Sequence, residues 1–378
     1  MRNVLLVSPS AKPGGAERTF AALARRLPAH GWHPTVVLLE DGPLAEWIRS
    51  SGTEPVILRA ARTRQLHRAA ATVRSLARLA RRSGADAVIS SMTKGHIYGG
   101  SAARLARLPA VWWQHDIPKG TRMERIAMRV PAAAIVCVGE AAARSQRQLT
   151  PRRRVEKIFP GTAVAELAAR RGSGAALRHS IAPDGGPIVG IVGRLQPWKG
   201  QEVFLRAAAR VGAARQDVRF AVVGGAILGW EGSYPNELEL LTDGLGIRER
   251  VFFAGHQADP VPWQDALDVV VHASEREPFG LVIVEAMALG KAVVATAGGG
   301  PEEIIEDGRS GLIVPPGNPA ALAAAIERVL ADPELRDRLE RGAAERAPLF
   351  GEERAAARVA ALLDDLIGPA QARDGGTP

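Results

Sequence analysis

Short apolar runs alternate with amphipathic stretches along the whole chain, and this alternation most constrains the fold that it can adopt. The first half contains six candidate strands, at residues 4–8, 35–39, 55–58, 87–90, 111–114 and 134–138. The second half repeats the rhythm at residues 188–192, 220–223, 251–254, 269–272, 292–295 and 312–314. Strands and helices that alternate at this spacing predict parallel sheets with helices on both faces. With 378 residues, we expect two such α/β domains.

The boundary between these domains is predicted within residues 160–186. This stretch is rich in glycine and alanine and ends in Pro183-Asp184-Gly185-Gly186. Such a composition is typical of a connecting segment.

The number of cysteines and the hydropathy of the chain indicate the cellular compartment. The chain has one cysteine, Cys137, so it can form neither an intrachain disulfide nor a cysteine-based zinc cluster. A reducing compartment fits best. No stretch approaches the ~18 uninterrupted apolar residues of a membrane span, and the first apolar run is too short for a signal-peptide core. We therefore expect a cytoplasmic protein.

Charge is divided unevenly between the two halves. Residues 1–160 hold 27 Lys/Arg and 10 Asp/Glu (+17), residues 161–378 hold 22 and 30 (−8), and the sum is the +9 of the whole chain. This asymmetry predicts an anionic partner for the first half: a membrane surface, a nucleic acid or an acidic acceptor. A basic helical stripe supports such a partner, although a solvated helix face is the usual reason for one. The stripe contains Arg64, Arg68, Arg74, Arg78, Arg81 and Arg82, and its apolar side contains Leu66, Ala70, Val73, Leu76, Ala77 and Ala80.

In open parallel sheets ligands bind beyond the carboxyl ends of the strands, so the loops that follow strands are informative. Gly14 and Gly15 follow the first strand and precede a predicted helix. Paired glycines let a ligand approach the backbone, and a helix N-terminus favours an anion. A simple strand-to-helix turn is the alternative.

Two later loops suit phosphate groups. Arg194 and Lys199 follow the strand at 188–192, and a forked guanidinium with a nearby ammonium suits a diphosphate. Solvated surface charge is the alternative. Three glycines at 298–300 precede Pro301, and we expect their free amides to hold phosphate, unless they form only a tight turn.

Two acidic residues and one histidine complete the set of candidates. Glu277 lies in the loop after the strand at 269–272, and Glu285 lies about one turn inside an apolar helix predicted over 281–289. A buried carboxylate needs partners; sugar or ribose hydroxyls would serve, and a capping bond or an arginine is the alternative. His115 ends a first-half strand, either in the site or as a structural histidine. The eight histidines show no metal-ligand spacing, so we predict no metal.

Taken together, these loops resemble the retaining glycosyltransferases of family 4. The resemblance covers nearly the whole chain, and Glu277 and Glu285 match the E-x7-E signature of that family. The other matching segments are Gly14-Gly15-Ala16-Glu17, Val192-Gly193-Arg194, Lys199-Gly200, Ala286-Met287-Ala288-Leu289-Gly290, Gly299-Gly300-Pro301-Glu302-Glu303, Asp307-Gly308 and Gly311-Leu312. The resemblance implies the GT-B architecture, in which two Rossmann-like domains with parallel sheets face a central cleft. It implies an acceptor domain over 1–162, a donor domain over 163–351 and a helical segment over 352–370 that rejoins the first.

The resemblance also implies how a nucleotide-sugar donor is bound. Arg194 and Lys199 would bind its diphosphate, and Glu285 would bind the ribose hydroxyls. Gly14 and Gly15 would approach the diphosphate from the first domain.

The reacting sugar has its own implied set of residues. Glu277 would bind hydroxyls of the donor sugar, helped by the backbone of Phe279 and Gly280, and His115 would lie near the reacting carbon. The implied catalytic residues are His115, Glu277, Arg194 and Lys199. No metal and no cofactor are required by this family.

We therefore expect a retaining hexosyltransferase that moves a hexose or N-acetylhexosamine from a nucleotide sugar, UDP-linked by preference, to a hydroxyl. The basic first half favours an anionic or lipid-linked glycan as acceptor, with peripheral contact at the inner membrane face. Three alternatives stay open: a soluble transferase acting on a small secondary metabolite such as an aminoglycoside, a pseudo-glycosyltransferase, and a nucleic-acid binder. No nucleic-acid motif is present, so we expect no nucleic-acid partner.

Overall fold

The computed structural model describes residues 2–12, 14–50, 52–60, 65–226 and 232–368. The chain divides into two compact units, one formed by Met1–Thr162 with Gly351–Pro378 and the other by Ala163–Phe350. Each unit has its own parallel sheet and its own buried core.

The first unit contains a seven-stranded parallel sheet in the order β3-β2-β1-β4-β5-β6-β7. Its strands are β1 (Arg2–Ser8), β2 (Trp32–Leu38), β3 (Val56–Ile57), β4 (Ala87–Ser91), β5 (Ala110–Gln114), β6 (Ala134–Cys137) and β7 (Val155–Lys157). Its first helices are α1 (Gly15–Arg26), α2 (Pro43–Ser50), α3 (Leu66–Arg82), α4 (Met92–Ala106), α5 (Arg122–Ala127) and α6 (Glu140–Leu149). The sequence pattern missed β7, because this half-buried edge strand has only three residues and two of them are charged.

The second unit contains a six-stranded parallel sheet in the order β10-β9-β8-β11-β12-β13. Its strands are β8 (Ile188–Val192), β9 (Arg219–Val223), β10 (Val251–Gly255), β11 (Val269–His272), β12 (Ala292–Thr296) and β13 (Leu312–Val314). Its helices are α7 (Val164–Ala168), α8 (Ala175–Ile181), α9 (Gln201–Ala214), α10 (Tyr234–Gly244), α11 (Val261–Ala266), α12 (Leu281–Ala288), α13 (Pro301–Ile304), α14 (Pro319–Ala331) and α15 (Pro333–Arg346). Strands β8, β11 and β12 are buried along their whole length, as expected of parallel strands covered on both faces. The predicted α/β class with two parallel sheets is confirmed.

The last helix, α16 (Glu352–Ile367), belongs to the first unit. Near its start, Glu352 accepts a hydrogen bond from Arg26 Nε at 3.1 Å. Near its end, Asp364 accepts one from Trp32 Nε1 at 3.2 Å. The chain therefore returns to the first unit after completing the second. Of the predicted segment 352–370, residues 369 and 370 lie outside the described residues.

In both sheets the strand order reverses at one point, between β1 and β4 and between β8 and β11. In open α/β sheets, ligands bind beyond the carboxyl ends of the strands at such a switch point. Gly14 and Gly15 follow β1, whereas Arg194 follows β8 and Glu277 follows β11. The fold thus places the predicted site loops at these two switch points.

The basic stripe on α3 is solvent-exposed at each of its described arginines, while Arg64 lies outside the described residues. The apolar side of the helix is buried at Leu76, Ala77 and Ala80. The assignment of Leu66 to that side is wrong: it is 77% exposed, because it is the first residue of the helix and precedes the part that packs on the sheet. Within the described ranges, no helix is long and apolar enough to cross a membrane.

Candidate active site

Backbone contacts join the loops at the carboxyl edge of the second sheet. The Glu275 amide after β11 donates to the Trp198 carbonyl after β8 at 3.0 Å, and the Gly300 amide after β12 donates to the Glu277 carbonyl at 2.9 Å. Gly200 allows the first approach, because a Cβ there would lie 2.0 Å from the Ala273 carbonyl oxygen. Three loops that are distant in sequence therefore form one layer.

A buried ionic cluster lies where these loops meet. The Oε2 atom of Glu277 is 2.6 Å from Lys199 Nζ, 3.0 Å from His272 Nε2 and 3.2 Å from Ser274 Oγ. Glu277 is only 8% exposed, and His272 and Ser274 are more buried still. One carboxylate oxygen thus takes three donors, while its Oε1 has no partner among the described residues.

These contacts determine the ionisation of Glu277. Burial alone would raise the pKa of its carboxyl group. The positive charge of Lys199 and the hydrogen bond with His272 outweigh burial and hold that pKa well below the usual range of a glutamate. Glu277 is therefore an anion at neutral pH, able to accept hydrogen bonds but not to act as a proton donor.

His272 and Ser274 were not among the site residues predicted from the sequence. Both come from the segment that joins the end of β11 to Glu277, and the pattern His-x-Ser-x-x-Glu directly after a buried strand was the available signal. The Nε2 of His272 donates to Glu277, and its Nδ1 is buried without a partner among the described residues.

The two predicted phosphate-binding cations lie on one loop in different environments. Lys199 pairs with Glu277, and its Nζ also lies 4.1 Å from the centre of the Trp198 ring. Arg194 is partly buried; its carbonyl accepts from Gln201 Nε2 at 2.8 Å, and no acid of the described residues pairs with its guanidinium. The structure thus brings Lys199 and Glu277 into direct contact and leaves a second cation five residues away.

The remaining predicted donor-site residues of the second unit lie on or next to α12. Glu285 is buried in its second turn, at 5% exposure, within an otherwise apolar helix. Gly280 is the N-cap residue of α12 and has a φ of 112°, a left-handed conformation that favours glycine. The Phe279 ring packs edge-on against Phe350 with centroids 5.9 Å apart, which anchors the loop to the core.

The expectation of free amides in the glycine run is wrong. Gly298 N–H and Gly299 N–H donate to Glu302 Oε2 at 3.0 and 3.2 Å, and Gly300 N–H donates to the Glu277 carbonyl. A carboxylate of the following helix, Glu302, therefore takes the place that the sequence analysis assigned to phosphate. The spacing that brings Glu302 back to its own preceding loop is a local capping geometry.

In the first unit, Gly14 and Gly15 form the start of α1. Gly14 is its N-cap residue, and a Cβ there would lie 2.3 Å from Glu17 Oε2. Glu17 is itself buried at 6% exposure. The glycine at position 14 thus leaves room for a buried carboxylate on the first turn of the helix.

His115 follows β5 at the same edge of the first sheet. Its ring stacks on Trp113 with centroids 5.8 Å apart, and burial lowers its pKa to about 3. His115 is therefore neutral at physiological pH. Its Nε2, Ser91 Oγ, Trp113 Nε1 and Gln114 Nε2 are all buried without a partner among the described residues.

The sequence predicts no metal site. Among the residues that the structure describes, no three His, Cys, Asp or Glu side chains are grouped so that they could hold a metal ion.

Comparison with known proteins adds family information for each unit. Residues 13–166 match the family described as Glycosyltransferase Family 4, and residues 176–346 match the family described as Glycosyl transferases group 1. Together the two matches cover most of both units.

Individual relatives agree with these matches. The alpha-D-kanosaminyltransferase of Streptomyces kanamyceticus is 34% identical over 228 residues, which are 58% of this chain and 57% of that protein. The D-inositol 3-phosphate glycosyltransferase of Streptomyces bingchenggensis is 34% identical over 218 residues, 56% of this chain and 48% of that protein. The alignments thus span about half the length of these curated relatives.

A solved structure matches nearly the whole chain. Anabaena Alr3699/HepE, crystallised in complex with UDP-glucose, has 28% sequence identity and a TM-score of 0.84, covering 97% of this chain and 100% of that one. The predicted GT-B class of fold is thereby confirmed for each of the two parallel-sheet α/β units, and the chain is similar to the family 4 glycosyltransferases.

Proposed function

We propose that this glycosyltransferase family 4-like chain transfers a hexose or N-acetylhexosamine from a UDP-linked donor, with retention at the anomeric carbon, to a hydroxyl of an anionic or lipid-linked acceptor. The cluster of Lys199, Glu277 and His272 at the switch point of the second sheet carries the proposal. It combines a cation suited to a diphosphate with an ionised carboxylate suited to sugar hydroxyls. The UDP-glucose bound to HepE supports UDP as the nucleotide.

In the proposed reaction, the difficult step is departure of the nucleoside diphosphate from the anomeric carbon. The bond from that carbon to the phosphate oxygen breaks, and a bond to the acceptor oxygen forms on the same face of the sugar. Arg194 and Lys199 stabilise the negative charge that develops on the diphosphate. The leaving phosphate takes the proton of the acceptor hydroxyl, so the reaction needs no carboxylate nucleophile.

The other residues have supporting roles in this proposal. The free Oε1 of Glu277 accepts from donor-sugar hydroxyls, with the backbone of Phe279 and Gly280 beside it, and Glu285 binds the ribose. Gly14 and Gly15 contact the diphosphate. Neutral His115 offers a hydrogen bond near the reacting carbon but no positive charge, since its pKa is about 3. No metal and no cofactor take part.

A thermal-shift panel of UDP-, GDP-, ADP- and dTDP-glucose tests donor binding. A ligand at 100 times its Kd adds about 2.7 kcal/mol to the unfolding free energy. We expect a shift with UDP-glucose, its loss in Glu277→Gln, and its retention in the control Glu275→Gln, since Glu275 is an exposed neighbour on the same loop. Wild-type protein that responds to none of the four donors would refute the proposed donor site.

A second acceptor class is favoured by the similarity to the kanosaminyltransferase. In this alternative the acceptor is a small aminoglycoside-type metabolite. Mass spectrometry of products from UDP-glucose with D-inositol 3-phosphate or with an aminocyclitol separates the two. Transfer to the phosphorylated acceptor supports the leading proposal, and transfer to the aminocyclitol alone supports the alternative.

A further inference from the structure

We propose that an arginine-rimmed cavity on the first unit is a docking surface for an anionic lipid bilayer. The cavity has a volume of about 620 Å³ and lies between the end of α4 and the segment before β6. Its lining includes Arg104, Leu105, Arg107, Ile126, Arg129 and Val130. This inference goes beyond the proposed reaction and does not depend on it.

The cavity lies at the amino edge of the first sheet, opposite to the carboxyl edge that carries His115. Arg104 lies on α4 and Arg107 just after it, ahead of the first residue of β5, and Arg129 precedes the first residue of β6. His115, by contrast, follows the last residue of β5. A bilayer against the cavity would therefore leave the carboxyl edge of this sheet accessible.

The three arginines carry charge that the protein itself does not neutralise. Within the described residues, the side chains of Arg104, Arg107 and Arg129 form neither an ion pair nor a hydrogen bond, whereas Arg26 and Arg154 of the same unit pair with acids. A helix C-terminus attracts cations, which accounts for Arg104 and Arg107 at the end of α4. The same preference applies to Arg129 just after the end of α5, but it does not explain why cations from two helix ends line one cavity.

Exposed aliphatic side chains lie among these cations. Leu105 is 45% exposed, Ile126 is 38% exposed and the neighbouring Met123 is 37% exposed. A soluble phosphate would use the guanidinium groups but would leave the apolar side chains in water. An anionic bilayer satisfies both, because its phosphates attract cations and the underlying acyl region takes up apolar side chains. Charge and apolar exposure at one place therefore favour a membrane surface.

Cosedimentation with vesicles tests the surface directly. The full chain is mixed at low salt with vesicles of phosphatidylglycerol and phosphatidylcholine, and separately with phosphatidylcholine alone. We expect binding to the anionic vesicles only. The triple variant R104Q/R107Q/R129Q should lose about 100-fold in partition coefficient, as expected for removal of three cations from such a surface.

A matched variant separates this surface from general electrostatics. R68Q/R74Q/R78Q removes the same charge from exposed positions of α3 and should bind within a few-fold of wild type. L105S/I126S keeps every charge and should bind at least tenfold more weakly. Equal losses in the two arginine variants, unchanged binding of L105S/I126S, or no binding by the wild type would each overturn the proposal. Thermal unfolding of every variant identifies any that fail to fold.

Discussion

The carboxyl edges of the two sheets differ in how their polar groups are satisfied. In the second unit, Lys199, His272 and Ser274 converge on one oxygen of Glu277. In the first unit, several buried polar atoms in and just after β4 and β5 have no hydrogen-bond partner among the described residues. Five of the ten such buried atoms found among the described residues lie there, in Ser91, Trp112, Trp113, Gln114 and His115.

The polar groups at the carboxyl edge of the second sheet are thus already hydrogen-bonded to one another. Several of those at the carboxyl edge of the first sheet have no hydrogen-bond partner among the described residues. A buried polar group without a partner costs about 1–3 kcal/mol, and such groups in native proteins call for an explanation. The cluster in the second unit supports itself through charge, so changes there should damage stability and donor binding together. Changes at the first edge should affect ligand binding more than stability. Four experiments test this contrast.

The largest effect is expected for Glu277→Gln. The change leaves Lys199 without its anionic partner in a largely buried site. Breaking a buried ion pair costs about 3–5 kcal/mol, and loss of the proposed contact with the donor sugar adds to the effect on transfer. We expect transfer, measured as UDP release from UDP-glucose, to fall by at least about 100-fold. The urea midpoint should fall as well.

The control for this change is Glu275→Gln, which removes an exposed carboxylate two residues away. Surface changes of this kind usually alter stability by less than about 0.5 kcal/mol. Wild-type activity in Glu277→Gln would show that the ionic cluster is not part of the site.

Lys199→Ala should have the next largest effect, on donor affinity. A charge-assisted hydrogen bond contributes about 1.5–3 kcal/mol, which corresponds to roughly 10–100-fold in Kd. Calorimetric titration with UDP measures this directly. Arg276→Ala, on an exposed neighbouring position, is the control. Equal affinities of Lys199→Ala and wild type for UDP would show that the diphosphate does not bind at this loop.

Most strands were predictable from sequence because they are short apolar runs between amphipathic helices. The missed strand, Val155–Lys157, lacks that signal, since an edge strand is buried on fewer sides and tolerates charge. The proximity of the loops that carry Glu277 and Lys199 was predictable, because parallel strands place their following loops at one edge. Their direct contact was not, because it depends on the close approach of two loops at Gly200.

The rest of the candidate site depends on side-chain partners that spacing alone does not determine. His272 looks like the last residue of a buried strand, and only the fold shows that its Nε2 reaches Glu277. The glycine run looks like a phosphate loop, yet Glu302 returns to its amides. In both places the sequence pattern identifies the loop but not the acceptor that each donor finds.

The third experiment compares the two edges through the pH dependence of the unfolding free energy. Burial lowers the pKa of His96 to about 4 and that of His115 to about 3, both in the first unit. An unfolded histidine has a pKa of about 6.5, so between pH 6.5 and 4 the unfolded chain binds protons that the folded unit does not. Above pH 6.5, the two buried histidines should not lower the unfolding free energy. Below it, the free energy should fall by up to about 1.4 kcal/mol per pH unit for each histidine.

Urea titrations at pH 7, 6 and 5 measure this slope. His115→Gln should remove one of the two contributions and leave that of His96. Glu277 should add nothing in this range: its lowered pKa keeps its contribution intact above the unfolded value of about 4.3. A slope that is the same in His115→Gln and wild type would contradict a neutral, buried His115.

The smallest effects come from a matched pair of serines. Ser274 and Ser91 are 2% and 1% exposed, and both lie at the carboxyl end of a strand. Ser274 donates to Glu277, whereas the hydroxyl of Ser91 has no partner among the described residues, although Ser91 is the N-cap residue of α4. Ser274→Ala should lower the unfolding free energy by about 1–2 kcal/mol, since it removes a hydrogen bond to a charged group.

Ser91→Ala should leave the unfolding free energy unchanged or raise it by up to about 1 kcal/mol. It removes a buried hydroxyl that forms no bond, and no capping bond is lost, because the Ser91 side chain makes none. Urea denaturation of both variants under one condition gives the comparison. A loss in Ser91→Ala as large as that in Ser274→Ala would mean that this hydroxyl is already satisfied in the free protein. The polar groups at the carboxyl edge of the first sheet would then be as well satisfied by hydrogen bonds as those of the second. They would give no reason to expect a ligand there.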